Sequence, residues 1–380
     1  MRTEFESSTE NAALKDAIVA RIERENGISF RDFMAMALYE PRLGYYCSDR
    51  PLIGRDGDYL TSPEVSPVFG VMVGRQQREI WEAMGSPLRF DLVEAGAGNG
   101  TLCSDILGWA ERRAPELFDA ANYTIVEQIP SLEAKQREHL ASQGLDSRVQ
   151  WRPDMPAAIE GCVLSNELLD SMPVHRVSLQ GGDLHEIYLN WDGTRIIDEF
   201  RGADGEVREY FARLDLLPGE GCRAEINLEA RRWLQRAGAA IDRGFLLTFD
   251  YGYEAPELYA SWRTDGTLLC FYKHNPSIDP YARIGRQDMT SHVDFTSIRR
   301  SGEEAGLTML RLVSQSELLV TTGIHEALPP AVGEIGLEER LARRRAVSEL
   351  IDPAGLGRIR VLAQAKGVKG VRLSGFATDA

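Results

Sequence analysis

Apolar positions recur along this chain with two periods, and the exchange between them predicts an α/β protein. Positions 14, 17, 18 and 22 share one face of a helix over residues 11–26, and Arg31–Tyr39 reads as a second helix that stops at Glu40-Pro41. Ile53 to Glu64 is rich in Gly, Asp, Ser and Pro, has no period, and reads as a long loop; loops of that length inside a globular chain are often functional. A helix over Val65–Met84 follows, then an apolar run at Phe90, Leu92 and Val93 and a helical pattern from Thr101 to Arg113. The alternation continues with strands at Tyr123–Glu127, Val149–Trp151 and Gly161–Ser165 and a helix over Ser131–Ala141. Strands separated by helices predict a parallel sheet.

At Val174 the period changes to two. Val174–Leu179, Leu184–Trp191 and Thr194–Phe200 read as strands joined by Gly-Gly-Asp and Trp-Asp-Gly turns, an inserted β-meander. Helix returns over Ile226–Ala240 and a buried strand over Gly244–Asp250. Residues 254–292 are loop-rich and aromatic. A helix from Asp294 to Ala305, a strand over Leu307–Val313, helical segments at 315–325 and 337–350 and a strand at 358–364 complete the pattern. The expected organisation is a helical cap with an active-site loop (1–88), the first part of a nucleotide-binding core (89–173), the meander (174–225), and the rest of the core (226–380), with a substrate-side insertion at 254–292.

The first strand runs into Gly96-Ala97-Gly98-Asn99-Gly100, a turn in which glycine permits positive φ and lets a ligand approach the backbone. The helix start beyond it offers N–H groups to a carboxylate or another anion. A dinucleotide fingerprint needs Gly-x-Gly-x-x-Gly, and Thr101 stands where its third glycine belongs, so an NAD dehydrogenase is disfavoured. An acidic residue, Glu94, followed by Gly-x-Gly-x-Gly resembles motif I of S-adenosylmethionine (SAM) methyltransferases, with Glu94 placed to meet the methionine ammonium. Glu127 ends the next strand, where a carboxylate can accept both ribose hydroxyls of an adenosine. The fold class is then α/β with a Rossmann-like SAM-methyltransferase sheet, and the cap, meander and loops lie over its active-site face.

Composition narrows the setting. With 380 residues, 43% of them apolar, the chain can bury a large core, and a net charge of −15 argues against a broad nucleic-acid face. Five cysteines without a CxxC read as reduced and intracellular, with no disulfide framework, and no His/Cys/Asp grouping has metal-ligand spacing. The acidic N-terminal residues read neither as a secretory signal nor as a transit peptide, and no run approaches a membrane span. A bacterial cytoplasm is the expected compartment, ahead of a mitochondrial matrix.

Six segments agree with one family: GDYLTSPEVSPVFG (57–70), LVEAGAGNGTL (92–102), YTIVEQ (123–128), SNELLDSMPVHRV (165–177), DYGY (250–253) and DMTSHVDF (288–295). Together they resemble the MidA family of SAM-dependent methyltransferases, which includes mitochondrial complex I assembly factors. The resemblance implies SAM as cofactor and, for the mitochondrial members, methylation of an arginine in a complex I subunit. The residues expected to hold SAM are Glu94, Gly96, Gly98, Gly100, Glu127 and Asn166.

For the acceptor, paired carboxylates can grip a guanidinium bidentately and localise a lone pair on one nitrogen. Glu167 and Asp170 at the fourth strand tip, with Asp58 and Glu64 on the N-terminal loop, are the candidates. Asn166 and Asp170 serve equally as caps of the next turn. Three activities stay open: a protein arginine methyltransferase, a small-molecule O- or N-methyltransferase, and an assembly chaperone that keeps the fold without methylating.

Overall fold

The strand–helix alternation from residue 90 onward closes into one seven-stranded sheet. Its strands are β1 (Phe90–Ala95), β2 (Ala121–Val126), β3 (Val149–Arg152), β4 (Ile159–Asn166), β5 (Ile241–Asp250), β6 (Thr308–Ser314) and β7 (Arg360–Lys366). In space they run β3-β2-β1-β4-β5-β7-β6. All pairings from β3 across to β5 are parallel, while β7 runs antiparallel to both β5 and β6. The central strands read as parallel strands do, with runs of consecutive buried residues at Gly161–Ser165 and Gly244–Asp250.

The computed structural model describes residues 10–48, 50–203, 205–328 and 336–377. The chain forms two units. One takes in the chain up to Tyr59, Leu169–Trp233 and Gly252–Ile298; the other takes in Leu60–Leu168, Leu234–Tyr251 and the chain from Arg299 onward. The second contains the whole seven-stranded sheet. Its core joins Phe90, Leu92, Cys162, Leu164, Phe245 and Leu247 of the sheet to the helices Pro67–Ala83 and Thr101–Arg113. Each such side chain stabilises the fold by roughly 1.5–3 kcal/mol. The two helices approach closely because Gly70 and Gly74 carry no side chain: a Cβ on Gly74 would meet Trp109 Cε3 at 2.7 Å, and one on Gly70 would collide with Asp105.

In the first unit, Asn11 and Ser29 cap the helices Ala12–Glu25 and Phe30–Tyr39 by accepting from Leu14 N–H and Asp32 N–H. The expected meander is present as His175–Gln180, Asp183–Trp191 and Ile196–Gly202, all antiparallel, with Ile28–Ser29 and Arg223–Ile226 completing a five-stranded sheet. A helix over Gly205–Leu214 also lies in this stretch; its buried Val207, Tyr210, Phe211 and Leu214 have the spacing of one helix face. The segment read as loop-rich holds a short helix, Ala255–Leu258, and a three-stranded sheet of Leu269–Tyr272, Asn275–Ser277 and Asp288–Thr290. Strands of three or four residues are too short for a period to show. The N-terminal loop ends in a turn of helix, Ser62–Val65, so the following helix begins at Pro67 under a Ser66 cap rather than at Val65. Among the described residues no helix is long and apolar enough to cross a membrane.

Candidate active site

The carboxyl ends of β1, β2 and β4 gather most of the residues expected to bind the cofactor, all within the second unit. After β1 the chain turns with Gly96 at φ +68°, Gly98 at +55° and Gly100 at +82°, conformations that side chains disfavour. Gly96 N–H donates to Val126 O at 3.1 Å and Gly100 N–H to Ala97 O at 2.7 Å, which fixes the turn between β1 and β2. A Cβ on Gly96 would meet Leu168 Cδ1 at 2.6 Å. The helix Thr101–Arg113 starts at Gly100 with no side-chain cap, so its first N–H groups suit an acceptor from a ligand.

Glu94 sits beneath this turn with its carboxyl buried. It accepts from Tyr123 Oη at 2.6 Å, and burial pushes its pKa up to about 7. Glu127 stands one residue past β2. Its two oxygens accept from Ile129 N–H and from Gln136 Nε2, both at 2.9 Å, and burial raises its pKa. Those bonds fix the carboxylate at the tip of the strand.

No motif marks Gln136 in the sequence. Its side chain is fully buried; Nε2 donates to Gly98 O at 3.1 Å as well as to Glu127, and Oε1 accepts from Trp151 Nε1 at 3.1 Å. One amide thus joins the glycine turn, the strand-tip carboxylate and β3. The available signal was a polar residue within the buried stripe Leu132, Gln136, Leu140 of the helix Pro130–Ser142.

At the end of β4, Asn166 Nδ2 donates to Glu167 Oε1 at 3.1 Å, while Asn166 Oδ1 is buried without a partner among the described residues. Glu167 has φ +50°, uncommon for a residue with a side chain. Its N–H donates to Phe249 O at 2.9 Å, and Oε1 also accepts from Ser62 N–H at 3.2 Å. Burial pushes its pKa up to about 8, and the nearby charge of Asp250 adds to the rise. Glu64 lies at the glycine turn, its Oε1 accepting from Asn99 Nδ2 at 3.1 Å and Thr101 Oγ1 at 2.7 Å. Asp105, one helical turn on, is held up to about 7 by burial and by Glu64.

The other two candidate carboxylates belong to the first unit. Asp58 is 1% exposed and accepts from Tyr45 Oη at 2.9 Å, Arg50 at 2.7 Å and Lys273 N–H at 2.8 Å. Asp170 is buried, and its carbonyl accepts from Ser291 N–H at 2.9 Å.

The residues at the β1, β2 and β4 tips fit an adenosine-bearing ligand with an amino-acid tail. Gly96 and Gly98 are part-exposed and carry no side chain over the turn, Glu127 offers a fixed acceptor for hydroxyls, and Asn166 Oδ1 lacks a donor among the described residues.

The chain has relatives of known class. A family model described as putative S-adenosyl-L-methionine-dependent methyltransferase matches residues 72–313. Protein arginine methyltransferase NDUFAF7 homolog, mitochondrial, of Drosophila melanogaster is 29% identical, covering 96% of this chain and 88% of that protein. The NDUFAF7 protein of Rattus norvegicus is 26% identical, covering 90% of this chain and 81% of that protein. A crystal structure from Burkholderia thailandensis, bound to S-adenosyl-homocysteine, matches with a TM-score of 0.87 and 32% identity over 97% of this chain and 95% of that one.

Proposed function

This chain belongs to that family of S-adenosyl-L-methionine-dependent methyltransferases, the MidA-like family its motifs resemble, and from that premise we propose that the group it methylates is an arginine side chain of a protein. SAM, its cofactor, supplies when bound an electrophilic methyl group on a sulfonium. The backbone of Gly96, Gly98 and Gly100 and the uncapped helix start would hold the amino-acid part, Glu127 the ribose hydroxyls, and Asn166 a donor at the β4 tip. Glu94 ties β1 to β2 through Tyr123, and Glu64 holds the glycine turn through Asn99 and Thr101.

The observation that carries the acceptor reading is Glu167. Its carboxyl is raised to about 8 by burial and by Asp250, and its partners are neutral, a backbone N–H and an amide. Such a carboxyl ionises most readily when a cation arrives, and a guanidinium supplies one with a bidentate fit. Once ionised, Glu167 holds one face of the guanidinium and accepts the proton that the methylated nitrogen must lose. A neutral small-molecule acceptor gives this carboxyl no such partner. Asp58 and Asp170 then take supporting parts in the first unit, Asp58 by tying its loop to Tyr45 and Arg50.

Two relatives carry protein arginine methyltransferase in their names, and they support the same acceptor. A complex I subunit is the first protein substrate to try. The test is to incubate the enzyme with SAM labelled in its methyl group and a cell extract, then to separate protein from small molecules and hydrolyse the protein. Label recovered as methylarginine, lost in Glu167→Gln while SAM affinity stays within a few-fold, is the expected result. Label confined to the small-molecule fraction, or full transfer by Glu167→Gln, would overturn the reading.

A further inference from the structure

A second concave site lies in the same unit at the far end of the helix Thr101–Arg113, about 17 Å along its axis from the glycine turn. The groove encloses about 1080 Å³. It is lined by five arginines, at 75, 78, 112, 113 and 343, against three glutamates, at 79, 82 and 326. That balance is opposite in sign to the chain as a whole, whose net charge is −15.

The glutamates are already engaged. Glu326 pairs with Arg75 at 2.7 Å, Glu82 pairs with Arg78 at 2.8 Å, and Glu79 accepts from Ser374 N–H at 2.7 Å. Arg112 and Arg113 form no ion pair among the described residues, although Arg112 lies near enough to Asp105 to favour that carboxylate. Among the described residues Arg343 pairs only with half-exposed Glu339, and exposed pairs of that kind contribute little. Spare guanidinium charge therefore faces the groove. Part-exposed Val71, with the edges of the buried Met72 and Trp109 behind it, gives it a small apolar patch.

We propose that this groove docks an acidic segment of a partner protein, one in which carboxylates alternate with apolar side chains. Arginine forks favour carboxylate partners, and the small apolar patch at Val71 takes an apolar residue between them. The volume exceeds the range of most small-molecule sites, about 300–1,000 Å³. A nucleic acid fits less well. Its unbroken row of phosphates would be set against Glu79, Glu82 and Glu326, and against the net charge of the chain. The inference is independent of which group the enzyme methylates.

The test is fluorescence anisotropy on the full chain. The probes are a labelled peptide of Asp and Glu interspersed with Leu and Phe, the same peptide with Asn and Gln for the acids, and a single-stranded RNA. We expect the acidic peptide to bind, to weaken as salt rises from about 50 to about 200 mM, and to lose at least about tenfold in affinity in Arg113→Glu/Arg343→Glu. SAM affinity, measured by calorimetry, stays at the wild-type value in that variant and confirms its fold. If the reversal does not fold, Arg113→Ala/Arg343→Ala carries the same test with a smaller loss. Failure of the acidic peptide to bind, equal binding by wild type and variant, equal binding of the neutral peptide, or preference for the RNA each overturns the proposal.

Discussion

Gln136 illustrates how a single buried amide can set the affinity of a site it does not have to touch. Replacing it with Leu leaves Glu127 without one donor and Trp151 Nε1 without an acceptor. Each loss costs roughly 1–3 kcal/mol. Only the loosening of Glu127 bears on SAM; one such donor at about 1.4 kcal/mol is tenfold in affinity, so Gln136→Leu should weaken SAM binding by about tenfold in a calorimetric titration. An unchanged dissociation constant would remove Gln136 from the positioning network. Glu167 makes a prediction of a different kind. Its carboxyl titrates at about 8 in the folded protein, against the ordinary carboxylate range when unfolded. The folded state therefore keeps a proton that the unfolded state has already released. The stabilisation is complete below about pH 4.5 and is lost as pH rises toward 8. Glu94, Asp105 and Asp288, each raised to about 7, act in the same direction. Denaturant unfolding from pH 5 to 8, without ligand, should show stability falling with pH, and Glu167→Gln should flatten part of that slope. A slope identical in the variant would place the titration elsewhere.

Among the elements, the helices Pro67–Ala83 and Thr101–Arg113 pack against each other through small residues, Gly70 and Gly74. Gly74→Ala sets a methyl group at 2.7 Å from the Trp109 ring, and overpacking of this sort costs roughly 1–3 kcal/mol. A melting temperature lowered by several degrees, with SAM affinity nearly unchanged, is the expected outcome; a melting temperature at or above wild type would mean that Trp109 yields freely. Element boundaries were legible to different degrees. The helix Thr101–Arg113 ends where its pattern says, since Gly100 and Ala114-Pro115 mark its two limits. The helix Gly205–Leu214 was hidden behind the turn-rich composition of the preceding hairpins, though its four apolar positions carry the helical spacing. The three-stranded sheet between Leu269 and Thr290 has no local signature, because its short strands exist only through one another.

At the scale of the molecule, neither unit is a continuous stretch: the chain passes between them at five points. A piece cut at Leu60 and Leu168 contains β1 to β4 but lacks β5, which pairs with β4 over its full length. Its apolar edge would be open to solvent or to another copy. Expressed alone, residues 60–168 should be aggregated or unfolded by circular dichroism and should not bind SAM. A soluble fragment with wild-type affinity would show that the sheet does not need its second half. The complete chain should melt several degrees higher with saturating S-adenosyl-homocysteine, since ligand at about 100 times its dissociation constant adds about 2.7 kcal/mol.

What is local is legible along the chain. The glycine turn, the helix that follows it, the carboxylates at 127 and 167 at strand tips, and the order of strands and helices along the chain depend on neighbours within a few residues, and composition and period report such neighbours directly. Tertiary structure decided the strand order, with β7 placed antiparallel between β5 and β6, and the state of each carboxylate. Glu94 is closed off by Tyr123, 29 residues away, and Asp58 by Tyr45 and by the backbone of Lys273, 215 residues away. Glu167 keeps neutral partners and an acidic neighbour contributed by β5. A carboxylate's charge depends on what surrounds it in three dimensions, and those surroundings come from segments with no short-range trace of one another in the sequence.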